Sequence, residues 1–168
     1  MSIEIVPNVF NEQELEVIYN ELINYNWELN NSSYREESVP LFWLKTIPLN
    51  SKLCILFKDK IESGVRLKIE MLRIRVNGQT HSQCGEWHLD NTFEGPNLYS
   101  FVYFPMQWKP EYGGHLLLQV EDTVHSILPE YNKAVLFDTS LNHIGLEPTI
   151  HCKSMRESIA CTFRIINE

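Results

Sequence analysis

Apolar and polar positions along the chain change their period once, near Gly64. Ahead of it the spacing is helical. Leu15, Ile18, Leu22 and Tyr25 fall on one face. Asn11 reads as the N-cap, and Glu14 stands three residues on, where a capping box needs it. A second helix is predicted near residues 51–62, with Leu53, Leu56, Phe57 and Ile61 facing inward and Gly64 ending it. Between the two, Asn30 to Pro40 reads as a surface loop, because polar residues crowd it without any period.

Beyond Gly64 the period is two. Val65, Leu67 and Ile69 alternate with Arg66, Lys68 and Glu70; Leu72, Ile74 and Val76 then alternate with Arg73 and Arg75. The phase slips near Met71, which predicts a bulge. Further strands are predicted at Leu98 to Phe104, His115 to Val120, Thr123 to Ile127, Ala134 to Phe137 and Ser158 to Ile166. Glu94-Gly95-Pro96, Gly113-Gly114 and Pro129 to Asn132 supply the turns. Two helices followed by many short strands imply a closed or double-sheet β architecture with the helices packed outside. The length of 168 residues suits one domain, with helical support over about residues 1–64 and a β core over about 65–168.

The formal net charge of -8 disfavours a nucleic-acid partner, since phosphate binding rests on Lys and Arg. Cys54, Cys84, Cys152 and Cys161 form no CxxC pair or regular framework, so free thiols in a reducing cytoplasm are expected. MSIEIVPNVF lacks the pattern of a signal peptide, and no apolar run has the length of a membrane span. A cytoplasmic protein is the expectation.

The stretch GEWHLDN carries the candidate chemistry. In a strand, residues i and i+2 point to one side, so His88 and Asp90 face one ion while Leu89 turns away. Two histidines and one carboxylate on one face, with the opposite positions open, suit a non-haem Fe(II) oxygenase. With six histidines in the chain, an HxD pair arises by chance in about one shuffled sequence in seven, so the pair alone is weak. His143 lies 53 residues after Asp90, following the apolar run from Ala134 to Phe137; Arg156 is 13 residues further on, and Ser158 shares its strand face. A zinc site from His81, Cys84, His151 and Cys152 is a weaker rival, because their spacing matches no standard zinc module.

Five elements in order now resemble the 2-oxoglutarate- and Fe(II)-dependent dioxygenases, in particular their prolyl 4-hydroxylase-like branch. They are the HxD of His88 and Asp90, YFPMQW from Tyr103 to Trp108, Gly113-Gly114, AVLFDTSLNH ending at His143, and RES from Arg156 to Ser158. The resemblance covers roughly residues 70–166. It departs from the family pattern before the HxD, where RIRVNGQTHSQCGEW lacks the usual tyrosine, and after His143, where Ile144 precedes Gly145.

The resemblance implies a mainly β fold with flanking helices, the double-stranded β-helix (jelly roll, cupin-like). It implies Fe(II) on His88, Asp90 and His143, with 2-oxoglutarate and O2 as cosubstrates and ascorbate as the reductant to test. Arg156 is expected to pair with the far carboxylate of 2-oxoglutarate, its planar fork being suited to a carboxylate. Tyr103 and Ser158 are expected beside it. Trp108 is expected to be structural, and Trp87 to pack. The segment from Asn30 to Trp43 is the candidate lid.

The implied reaction is oxidation of a substrate C–H with 2-oxoglutarate converted to succinate and CO2, most simply at a prolyl residue of a peptide or protein. The alternatives are a free amino acid or other small metabolite, an oxidative nucleic-acid demethylase, and a non-catalytic jelly-roll binding module. The demethylase branch places an arginine six residues after the cosubstrate arginine; here Arg164 is eight residues after Arg156.

Overall fold

The computed structural model describes residues 3–31, 40–90 and 92–166. Its first helix, α1 (Glu12–Leu22), is capped as predicted. The Asn11 side chain accepts from the Glu14 backbone, and the Glu14 side chain accepts from the Asn11 backbone. Tyr25 lies beyond the end of α1, half-buried against the core. The second helix, α2 (Lys52–Val65), starts at the Ser51 cap and runs past Gly64. It ends at Arg66, which takes the left-handed conformation at φ 57°. A glycine within a helix is tolerated at modest cost, so Gly64 was a misleading stop signal.

Among the described residues, ten strands build two sheets. The larger has the order β1 (Glu4–Val6), β8 (Lys133–Asp138), β5 (Leu98–Phe104), β10 (Arg156–Ile166), β4 (Lys68–Gln79), β3 (Phe42–Thr46), β2 (Glu28–Asn31). The smaller has the order β7 (Thr123–Ile127), β6 (Leu116–Val120), β9 (His143–Gly145). An antiparallel bridge between His88 and His143 brings the HxD segment alongside β9. The short β9 was not anticipated, and neither were three strands in the region read as helical support: β1, β2 and β3. They lie at the margins of the larger sheet, where pairing with a neighbour outweighs weak local pattern. Residues 30 and 31 of the expected loop belong to β2; residues 32–39 of that loop, and of the candidate lid, lie outside the described residues. No described helix is long and apolar enough to cross a membrane.

The predicted bulge is present. Thr162 pairs with Arg73 and Phe163 with Met71, which leaves Leu72 as the extra residue of β4. Alternation then divides the central strands between two layers. Ile69, Met71, Ile74 and Val76 of β4, Phe101 and Tyr103 of β5, and Ile159, Cys161 and Phe163 of β10 pack towards α1 and α2, around Phe10 and Phe57. Val102 and Phe104 face the other way, joining Leu116, Leu118, Ile127, Val135 and Phe137 between the sheets. Polar residues share this inter-sheet side of β4 and β10, and they line a pocket there.

Candidate active site

His88, Asp90 and His143 converge at one end of that pocket. Their potential ligand atoms all lie within 4.8 Å of one another, and among the described residues no other group of His, Cys, Asp and Glu side chains does so. The backbone explains the meeting. His88 N–H donates to the His143 carbonyl at 2.9 Å, and His143 N–H donates back at 3.0 Å. The two rings sit 4.2 Å apart between centroids. Each Nδ1 lies against a backbone carbonyl two residues away, Glu86 O at 2.8 Å and Leu141 O at 3.0 Å. A proton on Nδ1 satisfies that carbonyl and leaves the Nε2 lone pair for a metal. His143 Nε2 is 3.8 Å from Asp90 Oδ2.

Asp90 is held at both oxygens. Arg73 Nη2 donates to Oδ1 at 2.9 Å, and Ser100 Oγ donates to Oδ2 at 2.5 Å. The same Arg73 nitrogen reaches Thr162 Oγ1 at 2.9 Å. Burial alone would raise the Asp90 carboxyl. His143, Arg73, the Ser100 hydroxyl and Arg75 outweigh it and hold the pKa at about 2. Burial lowers the His143 imidazole to about 4, with His88 and Arg75 acting in the same direction and Asp90 and the Leu141 carbonyl opposing. At neutral pH the triad is therefore one carboxylate and unprotonated His143, ready for a divalent cation.

The second charged feature of the pocket is Arg156, which is only 3% exposed. Its Nε donates to Gly114 O at 2.5 Å and its Nη1 to Gln79 Oε1 at 2.9 Å. Gln79 in turn donates to Gly145 O at 3.0 Å. No carboxylate among the described residues pairs with Arg156. Burial lowers its pKa to about 10, so it remains a cation at neutral pH. The Gly-Gly turn is required here. Gly114 has φ +69°, and a Cβ on it would lie 2.9 Å from Arg156 Cδ. Trp108 pins the turn by donating from Nε1 to Gly113 O at 2.9 Å, the structural role expected of it. Ser158 is buried and lines the pocket near Arg156.

A profile of the 2OG-Fe(II) oxygenase superfamily matches residues 73–164. That span holds the whole triad, Arg156 and more than half of the chain. The chain belongs to the 2OG-Fe(II) oxygenase superfamily. Solved structures share its fold. A prolyl hydroxylase from Trichoplax adhaerens, in complex with a hypoxia inducible factor oxygen degradation domain peptide fragment, has a TM-score of 0.73 at 16% identity, covering 97% of this chain and 83% of that one. A Pseudomonas putida prolyl-4-hydroxylase gives 0.71 at 17% identity, covering 98% and 93%. HygX from Streptomyces hygroscopicus, with nickel and 2-oxoglutarate bound, gives 0.69 at 13% identity, covering 97% and 82%. No curated protein sequence matches the chain.

Membership makes Fe(II), 2-oxoglutarate and O2 the cofactors of this oxygenase, and the donor set fits them. Two imidazole nitrogens and one carboxylate, with open positions, are the ligand types a non-haem Fe(II) site uses. A buried guanidinium lacking an anion is the counterpart of a dicarboxylate. The jelly-roll expectation holds as well.

Tyr103 is corrected. It is fully buried on the helix-facing side of β5, edge-on to Phe10 and Phe57, with its hydroxyl 3.4 Å from Asn132 Oδ1. Its neighbours Val102 and Phe104 face between the sheets instead, because strand residues alternate. Tyr103→Phe is therefore expected to leave 2-oxoglutarate affinity unchanged and to cost at most about 1 kcal/mol of stability. Calorimetric titration and urea unfolding would check both parts.

Arg164, weighed above against the demethylase spacing, does not reach Asp90; it pairs with Glu70 and donates to the Glu94 carbonyl. Arg73 holds Asp90 from β4. Sequence reasoning missed Arg73, Ser100 and Gln79. The available signal was the polar alternation of Arg73, Arg75, Asn77 and Gln79 on a strand whose other face is apolar. It resembles a solvent face, but here Arg75, Asn77 and Gln79 line a pocket. Of the weak zinc candidates, His81 lies 3.8 Å from Glu147 and Cys152 donates to Ser154 O, with no convergence among them. Trp87 is 36% exposed rather than packed, and Leu89 is exposed as strand alternation required.

The His143 shift has a consequence for stability in the metal-free protein. Its folded pKa lies below the ordinary 6.5, so the unfolded chain takes up this proton first as pH falls. Stability is lost between about pH 6.5 and pH 4, by a few kcal/mol. Asp90, also depressed, withdraws its contribution lower, as pH falls from 3.8 through about 2. Urea midpoints at pH 7 and pH 4.5 should differ markedly in the parent and less in His143→Gln.

Proposed function

We propose that this oxygenase hydroxylates a prolyl residue of a peptide or protein. His88, Asp90 and His143 hold Fe(II), and Arg156, with Ser158 beside it, receives the far carboxylate of 2-oxoglutarate. The observation that carries this is one pocket with a metal-competent triad at one end and a buried arginine without a carboxylate at the other. When bound, Fe(II) with 2-oxoglutarate and O2 supplies the oxidising step, in which the cosubstrate becomes succinate and CO2 and one oxygen atom enters the substrate C–H bond.

The chain's own part is positioning. The Glu86 and Leu141 carbonyls set the two imidazoles. Arg73 and Ser100 fix the carboxylate. Gln79 and Gly114 O aim the Arg156 fork. Val102 and Leu116 give the pocket an apolar wall that excludes water. The prolyl choice is supported by the neighbours of similar fold that are prolyl hydroxylases, the two above and a viral collagen prolyl hydroxylase. The net charge of -8 speaks against a nucleic-acid substrate.

Mass spectrometry of a proline-containing peptide panel, run with Fe(II), 2-oxoglutarate and ascorbate, is the test. A gain of one oxygen on proline, matched by succinate, is the expected result. Demethylation of an alkylated base with no peptide oxidised would reject the prolyl substrate.

A further inference from the structure

The inter-sheet side of β4 presents Arg73, Arg75, Asn77 and Gln79 in order, opposite Thr162, Ala160, Ser158 and Arg156 of β10. Arg73 is engaged by Asp90 and Thr162, and Gln79 by Arg156 and the Gly145 carbonyl. Arg75 is different. Among the described residues its guanidinium has no hydrogen bond and no ion pair, and its Nε is buried without a partner. It lines the pocket that holds the triad. Across from it stands Ala160, whose methyl group leaves the space above the ladder open.

Half-buried Arg75 helps to keep Asp90 ionised, but a buried guanidinium nitrogen left without a hydrogen bond is costly, and it is retained where a ligand supplies the acceptor. The formal charges of the pocket point the same way. Among the lining residues Arg75 and Arg156 bring two positive charges against the single negative charge of Asp90, which Arg73 also contacts from outside the lining. Fe(II) and the 2-oxoglutarate dianion cancel each other. The loaded pocket is thus still cationic, inside a protein whose net charge is -8. Arg156 and Arg75 are also set apart: their ladder positions differ by four residues, about 13 Å along the strand. The first is allotted to the cosubstrate, which leaves the second without an anion in hydrogen-bond contact.

We propose that Arg75 binds a free carboxylate of the substrate. The inference rests on the hydroxylase reading above and narrows its substrate. On the prolyl reading, the proline oxidised is a C-terminal residue that carries its own free carboxylate, rather than one lying inside a chain. Phe42, at the same pocket, offers the ring an apolar neighbour.

Equilibrium binding to nickel-loaded protein with 2-oxoglutarate present tests this without turnover. The probes are Gly-Ala-Pro and its C-terminal amide, L-proline and L-prolinamide, L-leucine and L-leucinamide, and Ala-Pro-Gly amide with its proline internal. Acids are expected to bind roughly tenfold or more tightly than their amides, the effect of one charge-assisted contact. Arg75→Gln should erase that preference and change the 2-oxoglutarate constant by less than about threefold, while Arg75→Lys keeps part of the preference. Equal binding of acids and amides, or no binding of either, overturns the proposal. So does a loss of 2-oxoglutarate affinity in Arg75→Gln as large as in Arg156→Gln, since the carboxylate would then be the cosubstrate's. An acid preference confined to the leucine pair upholds the Arg75 subsite and rejects proline as its occupant.

Discussion

His88→Ala should abolish 2-oxoglutarate turnover and Fe(II) binding while leaving stability almost unchanged. The ring is half-buried, and its one side-chain hydrogen bond, to the Glu86 carbonyl, is exposed. Surface losses of this kind stay within about 0.5 kcal/mol. Asp90→Ala should be equally inactive but less stable. It strips Arg73 and Ser100 of their shared acceptor, and leaving such groups unpaired costs about 1–3 kcal/mol. The pair of variants thus separates two roles: both lose the metal, and only one loses fold stability. Metal content after iron loading, urea midpoints and succinate formation measure the three quantities. Full turnover in both variants would mean that the HxD does not hold the iron.

Arg156→Ala should raise the dissociation constant for 2-oxoglutarate by a factor of thirty or more. Truncating one partner of a buried charge-assisted pair costs about 2–5 kcal/mol, in part because the remaining charge is left unpaired. Arg156→Lys should recover little of this. An ammonium is a point charge and cannot donate to Gly114 O, Gln79 and a carboxylate in the same planar fork. Calorimetry on nickel-loaded protein would read the constant directly. A change below about threefold would remove Arg156 from the cosubstrate site.

The chemistry of the site was more legible than its support. His88 and Asp90 stand two residues apart, so strand alternation alone predicts a common face. Their meeting with His143 is a long-range event, made by one antiparallel bridge that no local pattern encodes. Arg73 and Ser100 escaped notice for the same reason, since they reach Asp90 from β4 and β5. Tyr103 shows the reverse error. Family spacing nominated it, whereas the register of β5 sends it to the helices. The capping box and the bulge are local devices and were readable. The marginal strands β1 to β3 were not, because they are short and carry little local pattern, and β1 finds its partner β8 far along the chain.

The alternation along β4, β5 and β10 also bears on how such a protein diversifies. One face of these strands buries large rings and aliphatic chains behind the sheet, and the other carries the polar ladder of the pocket. Substitutions at Arg75, Asn77, Ser158 or Ala160 therefore stay clear of the helix-facing core. Mutational drift and laboratory selection can explore new substrates through those four positions at small cost to solubility or expression. Libraries confined to them should yield a far larger fraction of folded variants than libraries of equal size drawn from Phe57, Phe101, Ile159 and Phe163.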